Sequence, residues 1–485
     1  MALPLSFPTC KFLLLLFHVV FSCTLLFPIP THQTETTLVA PIFKDKSTNL
    51  FTLSVNLKTP LHRTNLFIDL GFFFPWIICD ANYNSSSFRE IPTDDHCSSC
   101  DDVGMGGLSC SNCSIFNPPD PACNPNIFVC DGNPENPLGK GQSSIGGGLA
   151  LIDTLALPTT TNNGSILGPL IPITNFTFSC TSYSPQLFKD LPKHITGLAS
   201  FARSKLSLQT QFSTALSTPN IVSLCFPSSP KLDGPGLAFF GSNGPYYALS
   251  SSSSSSKIDL SKFLTYTPLI VNPVALGDTE INYRVGTPSS HHFIGLTSIQ
   301  INGKPFPINS TLLTIDPESG FGGTQISTAT PYTRLESSIF KAFTELFVKE
   351  AASSPFNLKV TAPVKPFNVC YHAPDLTITT IGPSVPTVDL VLHAKDVVWR
   401  IVGANSMVRV KNKNGVNLWC LGFVDGGVKN NLVNGKDNQK TPIVIGGKQL
   451  EDNLIQFHIE SDRFGFTSSL LSRSLSCNNL ALLKK

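Results

Sequence analysis

Few residues in this chain have the type and setting to do chemistry. Asp69 closes an apolar run, Leu66-Phe-Ile-Asp-Leu-Gly71. Alone, a carboxylate in that place is a turn residue that accepts backbone amides beside Gly71. Paired with a second carboxyl group it would share one proton and activate water for attack on a carbonyl. A later segment, Gly323-Thr-Gln-Ile-Ser-Thr-Ala329, echoes the first as an apolar strand followed by a small turn. Each is followed at a distance by an apolar-to-glycine step, Ile195-Thr-Gly197 and Val444-Ile-Gly446, so the chain reads as two related halves. His291-His292 invites a metal or pH-switch reading. Adjacent strand residues face opposite sides, however, so a surface pair is expected, with no metal and no cofactor. Trp76, Trp399 and Trp419 have the shape to stack on sugar rings, but apolar neighbours such as Ile77, Ile78, Val397 and Val398 point to core packing.

Positioning such groups falls to short strands. Alternating or apolar runs occur at Leu50–Leu57, Leu66–Leu70, Leu237–Phe240, Val388–Leu392 and Ile443–Ile445. Helical spacing is confined to Leu335–Ala351 and to shorter pieces at Leu206–Phe212 and Leu450–Leu454. The fold class is therefore all-β with a few short helices. Abundant Pro (38) and Gly (34) suit many turns, and 485 residues suit two lobes. The expected lobes are 40–250 and 257–480, separated by the serine run Ser250–Ser256, read as a flexible connector; a surface loop within one lobe is the alternative. A net charge of +2 without a basic run argues against nucleic acid as a partner.

Lys11, the apolar run Phe12–Phe27 and the polar stretch from Thr31 read as a signal peptide over residues 1–30, and so as a secreted, extracellular protein. The run is short and interrupted for a membrane anchor, so no membrane association is expected. Beyond it stand 12 cysteines: Cys79, Cys97, Cys100, Cys110, Cys113, Cys123, Cys130, Cys180, Cys225, Cys370, Cys420 and Cys477. In an exported chain they imply six disulfides, although Cys97-Ser-Ser-Cys100 and Cys110-Ser-Asn-Cys113 also have zinc-ligand spacing. Sequons at Asn84, Asn112, Asn163, Asn175 and Asn309 fit the same export route.

Phe67-Ile-Asp-Leu-Gly71 with Trp76 and Cys79, Gly197–Gln211, Gly323–Leu335, Val398–Met407 and Ile443–Phe466 together resemble the pepsin-like aspartic proteases. The closer resemblance is to the plant branch of extracellular dermal glycoproteins, xylanase and xyloglucanase inhibitors and basic 7S globulins. It covers nearly the whole chain after the signal and implies a bilobal pepsin-like fold. In active members each lobe presents an Asp-Thr/Ser-Gly loop. The resemblance places Asp69 at the first aspartate and Ser327 at the second, so both are expected to be vestigial, with no catalytic residue and a pseudo-protease as the outcome. Leu70 stands where a bracing Thr or Ser would be, and Ala329 where the second glycine would be. No tyrosine occurs between Tyr83 and Tyr183 to serve as the flap residue. Asp69 without a partner is expected to be an ordinary carboxylate; a residual peptidase using Asp316 or Glu318 is the alternative.

In the inhibitors so resembled, loops of the second lobe plug the groove of a microbial glycoside hydrolase. Arg473, on Ser468–Cys477, is the candidate inhibitor contact, because a guanidinium pairs bidentately with such a groove's carboxylates; a solvated tail residue is its bland reading. The loop Thr379–Pro383, where the resemblance implies a second arginine, carries threonines. The polar stretch Val428–Lys440 is read as a solvated loop. The expected function is inhibition of xylanase or xyloglucan endoglucanase in plant defence, with a storage or peptide-binding globulin and a divergent aspartic endopeptidase as alternatives.

Overall fold

Alternation of apolar residues builds the first strands. In Phe51–Leu57, the side chains of Phe51, Leu53, Val55 and Leu57 are all buried. The strand pairs antiparallel with Leu38–Lys44 on one side and with His62–Asp69 on the other. The computed structural model describes residues 36–79, 83–93, 110–112, 128–138, 148–161, 166–230, 234–250, 253–276, 287–428 and 440–483. The expected signal peptide, Cys97, Cys100, Cys113, Cys123, Asn163 and most of the 428–440 loop lie outside these residues, as do the side chains of Cys110 and Asn112.

The fold is all-β and bilobal, of the pepsin-like kind, and one strand arrangement occurs twice in it. In the first half, Gly197–Ser200 lies parallel to His62–Asp69 and antiparallel to Trp76–Ile78, which in turn runs parallel to the end of Ile166–Thr181. In the second half, Ile443–Ile445 lies parallel to Thr324–Ile326 and antiparallel to Thr333–Leu335, which runs parallel to Phe423–Asp425. The two apolar-to-glycine steps of the sequence mark the same crossing in each half. A Cβ on Gly197 would sit 2.1 Å from the Trp76 carbonyl oxygen, and one on Gly446 would sit 2.4 Å from the Tyr332 carbonyl carbon. Only glycine allows the strands to pass so closely.

A continuous antiparallel ribbon joins the halves. It runs from Leu38–Lys44 through Gly236–Phe240 and Ile221–Cys225 to Leu454–His458, then Arg463–Phe466 and Thr265–Ile270. Disulfides Cys79–Cys180, Cys225–Cys477 and Cys370–Cys420 fasten elements 101, 252 and 50 residues apart. Cys130 is disulfide-bonded as well. Trp399 is fully buried against Phe464 and Phe466, in line with its expected core role.

Three expectations need correction. Of the serine run, Ser250 and Ser253–Ser256 lie in strands instead of a connector, because Ser253–Asp259 pairs with Tyr247–Ser250; Ser251 and Ser252 lie outside the described residues. Backbone pairing, which serine composition does not forbid, places the described serines in this hairpin. The helix expected over Leu450–Leu454 is instead Gly447–Leu450, and Leu454–His458 is a strand of the joining ribbon. His292 is not at the surface: it lies in His292–Ile294, a strand covered by Thr265–Ile270 and Thr324–Ile326, and its ring stacks on Phe457 at 4.1 Å. The long helix is observed at Ser337–Ala352, capped by the Glu336 side chain, with Ile339, Phe340, Phe343 and Phe347 buried. No helix among the described residues is long and apolar enough to cross a membrane.

Candidate functional site

The two echoing loops meet. Asp69, at the end of His62–Asp69, is 2% exposed, and its Oδ1 accepts the amides of Gly71 (2.8 Å) and Phe72. Ser327 follows Thr324–Ile326 and is 8% exposed; its Oγ accepts the Ala329 amide at 3.1 Å. Each side chain thus caps the amide two residues ahead, one through a carboxylate and the other through a hydroxyl. Between the loops, Thr328 Oγ1 donates to the Ile68 carbonyl at 2.7 Å. The reciprocal bond is missing because Leu70 has no donor; its side chain is buried in the apolar core.

Further bonds hold the first loop rigid. Ser200 Oγ donates to the Phe72 carbonyl, Ser290 Oγ donates to the Gly71 carbonyl at 2.6 Å, and the Phe201 amide donates to the Asp69 carbonyl at 2.8 Å. The His291 ring lies against Gly71, so close that a Cβ there would be 2.4 Å from His291 Cδ2. Phe72, Phe73 and Phe74 form a mutually packed aromatic cluster directly after the loop. Tyr83 is buried, its hydroxyl donated to Asp153 Oδ2 at 2.7 Å, so it is committed to the interior.

Electrostatics depart from the expectation of an ordinary carboxylate. Burial pushes the Asp69 carboxyl above its usual range, opposed by the Phe72 and Gly71 amides and by the charge of His291. Among the described residues, no second carboxylate acts on it. Asp316 is turned to solvent and holds its own turn, accepting from Ser319 Oγ and from the amides of Ser319 and Glu318. Neither Asp316 nor Glu318 touches Asp69. The site is therefore one buried carboxylate, one buried hydroxyl and one neighbouring imidazole, without a proton-sharing acid pair. His292 points the other way, to the Phe201 carbonyl, and burial lowers its pKa to about 3.

The remaining singled-out residues lie elsewhere. Arg473 ends the short 3-10 helix Leu470–Arg473; it is exposed, and its guanidinium sits 4.7 Å over the Phe263 ring. The following chain is pinned by Cys225–Cys477 and by Asp452 Oδ1, which accepts Ser476 Oγ and the Cys477 amide. Thr379–Pro383 belongs to a tight hairpin, Ile378–Thr379 with Gly382–Pro383, closed by Thr379 Oγ1 on the Gly382 carbonyl and seated through the Ala404 amide on Ile381. At its base Ile378 is 59% exposed. Asn84, Asn175 and Asn309 are exposed. Sequence reasoning missed Thr328 and His291 as parts of the site. Thr328 was open to recognition from its place after Ser327, whereas the approach of His291 to Gly71 is purely tertiary.

Two family models match in tandem: Xylanase inhibitor N-terminal over residues 51–242 and Xylanase inhibitor C-terminal over residues 291–468. The chain is 48% identical over 460 residues to a probable aspartic proteinase GIP1 of Glycine max, covering 95% of both chains. The crystal structure of edgp matches with TM-score 0.78 and 38% identity, over 92% of this chain and 98% of that one. The structure of conglutin gamma, a basic 7S globulin from lupine seeds, matches with TM-score 0.71 and 29% identity, over 93% and 100% of the two chains. This chain belongs to the xylanase-inhibitor family, in the plant branch of the pepsin-like aspartic protease superfamily that also holds the conglutins and basic 7S globulins.

Proposed function

We propose that this is a secreted pseudo-protease that inhibits microbial cell-wall-degrading glycoside hydrolases, of the xylanase or xyloglucan-endoglucanase kind. The observation that carries the inactive half of the reading is the lone buried Asp69, on which no second carboxylate acts among the described residues; Ser327, whose hydroxyl caps the Ala329 amide, is the residue we assign to the place of the second aspartate. Membership of the xylanase-inhibitor family supports the inhibitory half. Arg473 is the proposed contact: it is exposed, held over Phe263, and carried on a segment tied down by Cys477, so little freedom is lost on docking. Its fork would pair with the carboxylates of the hydrolase groove. Asn84, Asn112, Asn163, Asn175 and Asn309 are the proposed glycan sites.

Titration against a panel of fungal xylanases and endoglucanases tests this. Wild type inhibits at least one of them, and Arg473→Ala weakens that inhibition by roughly tenfold to a hundredfold. Arg473→Lys recovers only part, because an ammonium lacks the fork. Inhibition that is indifferent to both variants removes Arg473 from the interface, and no inhibition across the panel overturns the reading for these enzymes. A second reading, residual peptidase activity, draws on the name of the Glycine max relative, a probable aspartic proteinase. A pepstatin-controlled assay at acid pH separates it, and the isolated Asp69 predicts no activity.

A further inference from the structure

Of three tryptophans in the chain, Trp76 and Trp399 are fully buried, while Trp419 is only half-buried. It lies in Asn417–Leu421, which pairs antiparallel with Met407–Lys411, the edge strand of a four-stranded sheet. The register sets Trp419 directly opposite Arg409, and Asn417 directly opposite Lys411. Residues opposite one another, and residues two apart, share a face, so the indole, the two cations and the amide form one patch. Arg409 and Lys411 are exposed, and neither makes a side-chain hydrogen bond or an ion pair among the described residues. A shallow concavity of about 400 Å³ opens beside the patch at the strand edge, lined by Arg409, Val410, Lys411 and Asn417; the Trp419 indole, one side of it packed on the core, borders this lining without belonging to it.

We propose that this hairpin face is a binding site for uronate-bearing polysaccharide, separate from both the Asp69 loop and the Arg473 segment. Each part has a matching group in such a ligand. The guanidinium and ammonium pair with sugar carboxylates, the Asn417 amide exchanges hydrogen bonds with ring hydroxyls, and the indole offers an apolar plane to a pyranose face. A neutral glycan leaves both cations unpaired, and an acidic peptide leaves the indole and amide unused. Nucleic acid needs a longer basic track than two cations in a chain of net charge +2. Charged residues on an exposed edge also discourage strand-to-strand aggregation. That role alone requires neither the aromatic neighbour nor the concavity.

The test uses the full secreted chain with three probes: polygalacturonate, its methyl ester, which keeps the sugar and loses the charge, and polyglutamate, which keeps the charge and loses the sugar. Polygalacturonate binds best of the three, and binding weakens as salt rises. The double variant Arg409→Gln/Lys411→Gln loses affinity by about tenfold or more. The same charge change on the exposed face of the long helix, Lys341→Gln/Lys349→Gln, leaves binding near wild type. Polygalacturonate also shifts the intrinsic fluorescence, and Trp419→Phe abolishes the shift, because the two other indoles are buried. Equal binding of the methyl ester or of polyglutamate overturns the proposal. So does equal loss in the two double variants, or a fluorescence shift that survives Trp419→Phe; the hairpin charges are then edge guards only.

Discussion

At the scale of single residues, Asp69 is kept in an environment that resists its charge. Its Oδ1 is satisfied by two backbone amides, a task the Oδ1 of asparagine performs equally well. Because burial raises the folded-state pKa, the native chain holds this proton more tightly than the unfolded chain. The group therefore costs stability at neutral pH, and that cost disappears as pH falls below the unfolded value of about 3.9. Asp69→Asn is accordingly neutral or stabilising at pH 7, with the advantage fading toward pH 3; urea midpoints of both proteins at the two pH values measure it. A catalytic or fold-critical carboxylate would give the opposite sign at pH 7. The turn at Asp69 was legible, since an apolar run ending in Asp-Leu-Gly implies it. The burial was not, because Ser200, Ser290 and His291 close over the loop from positions 128 or more residues away in the chain. The same limit explains His292: two adjacent histidines look like surface residues until a strand on each side encloses the strand that the second one begins.

At the scale of elements, the duplicated crossing rests on two glycines that the sequence did expose as paired apolar-to-glycine steps. A methyl group at Gly197 or Gly446 would collide with the backbone at Trp76 or Tyr332, where no side chain is free to swing away. Gly197→Ala and Gly446→Ala therefore each destabilise by roughly 1–3 kcal/mol or more, as overpacking does. Denaturant unfolding checks this, and an unchanged midpoint would show that the strands part easily there. The steps were readable because close approach demands glycine whatever surrounds it. The strand at Ser253–Asp259 was not legible for the converse reason: low complexity says what the side chains cannot pack, but its hairpin with Tyr247–Ser250 is held through backbone groups that every residue supplies.

At the scale of the whole molecule, the C-terminal segment is where stability and the proposed inhibition meet. Cys225 lies in the ribbon joining the halves, and Cys477 lies four residues after Arg473, so one covalent link fastens the proposed contact to the centre of the fold. The link closes a 252-residue separation. Restricting so long a loop in the unfolded chain stabilises by about 5 kcal/mol in the chain-entropy picture, and by about 2–4 kcal/mol in typical cases. Cys225→Ser/Cys477→Ser therefore lowers the unfolding free energy by that order. Below its melting range the segment still has Leu470, Leu475 and Leu480 buried and Asp452 holding Ser476, so it remains docked but frays more readily. The proposed contact then loses part of its pre-organisation, and inhibition weakens mainly through faster dissociation, since Arg473 still reaches the same partner once placed. Dissociation rates measured well below the melting temperature decide this. A faster off-rate with an unchanged on-rate fits a contact pre-organised by the disulfide, whereas identical kinetics for the two proteins would place the working surface elsewhere.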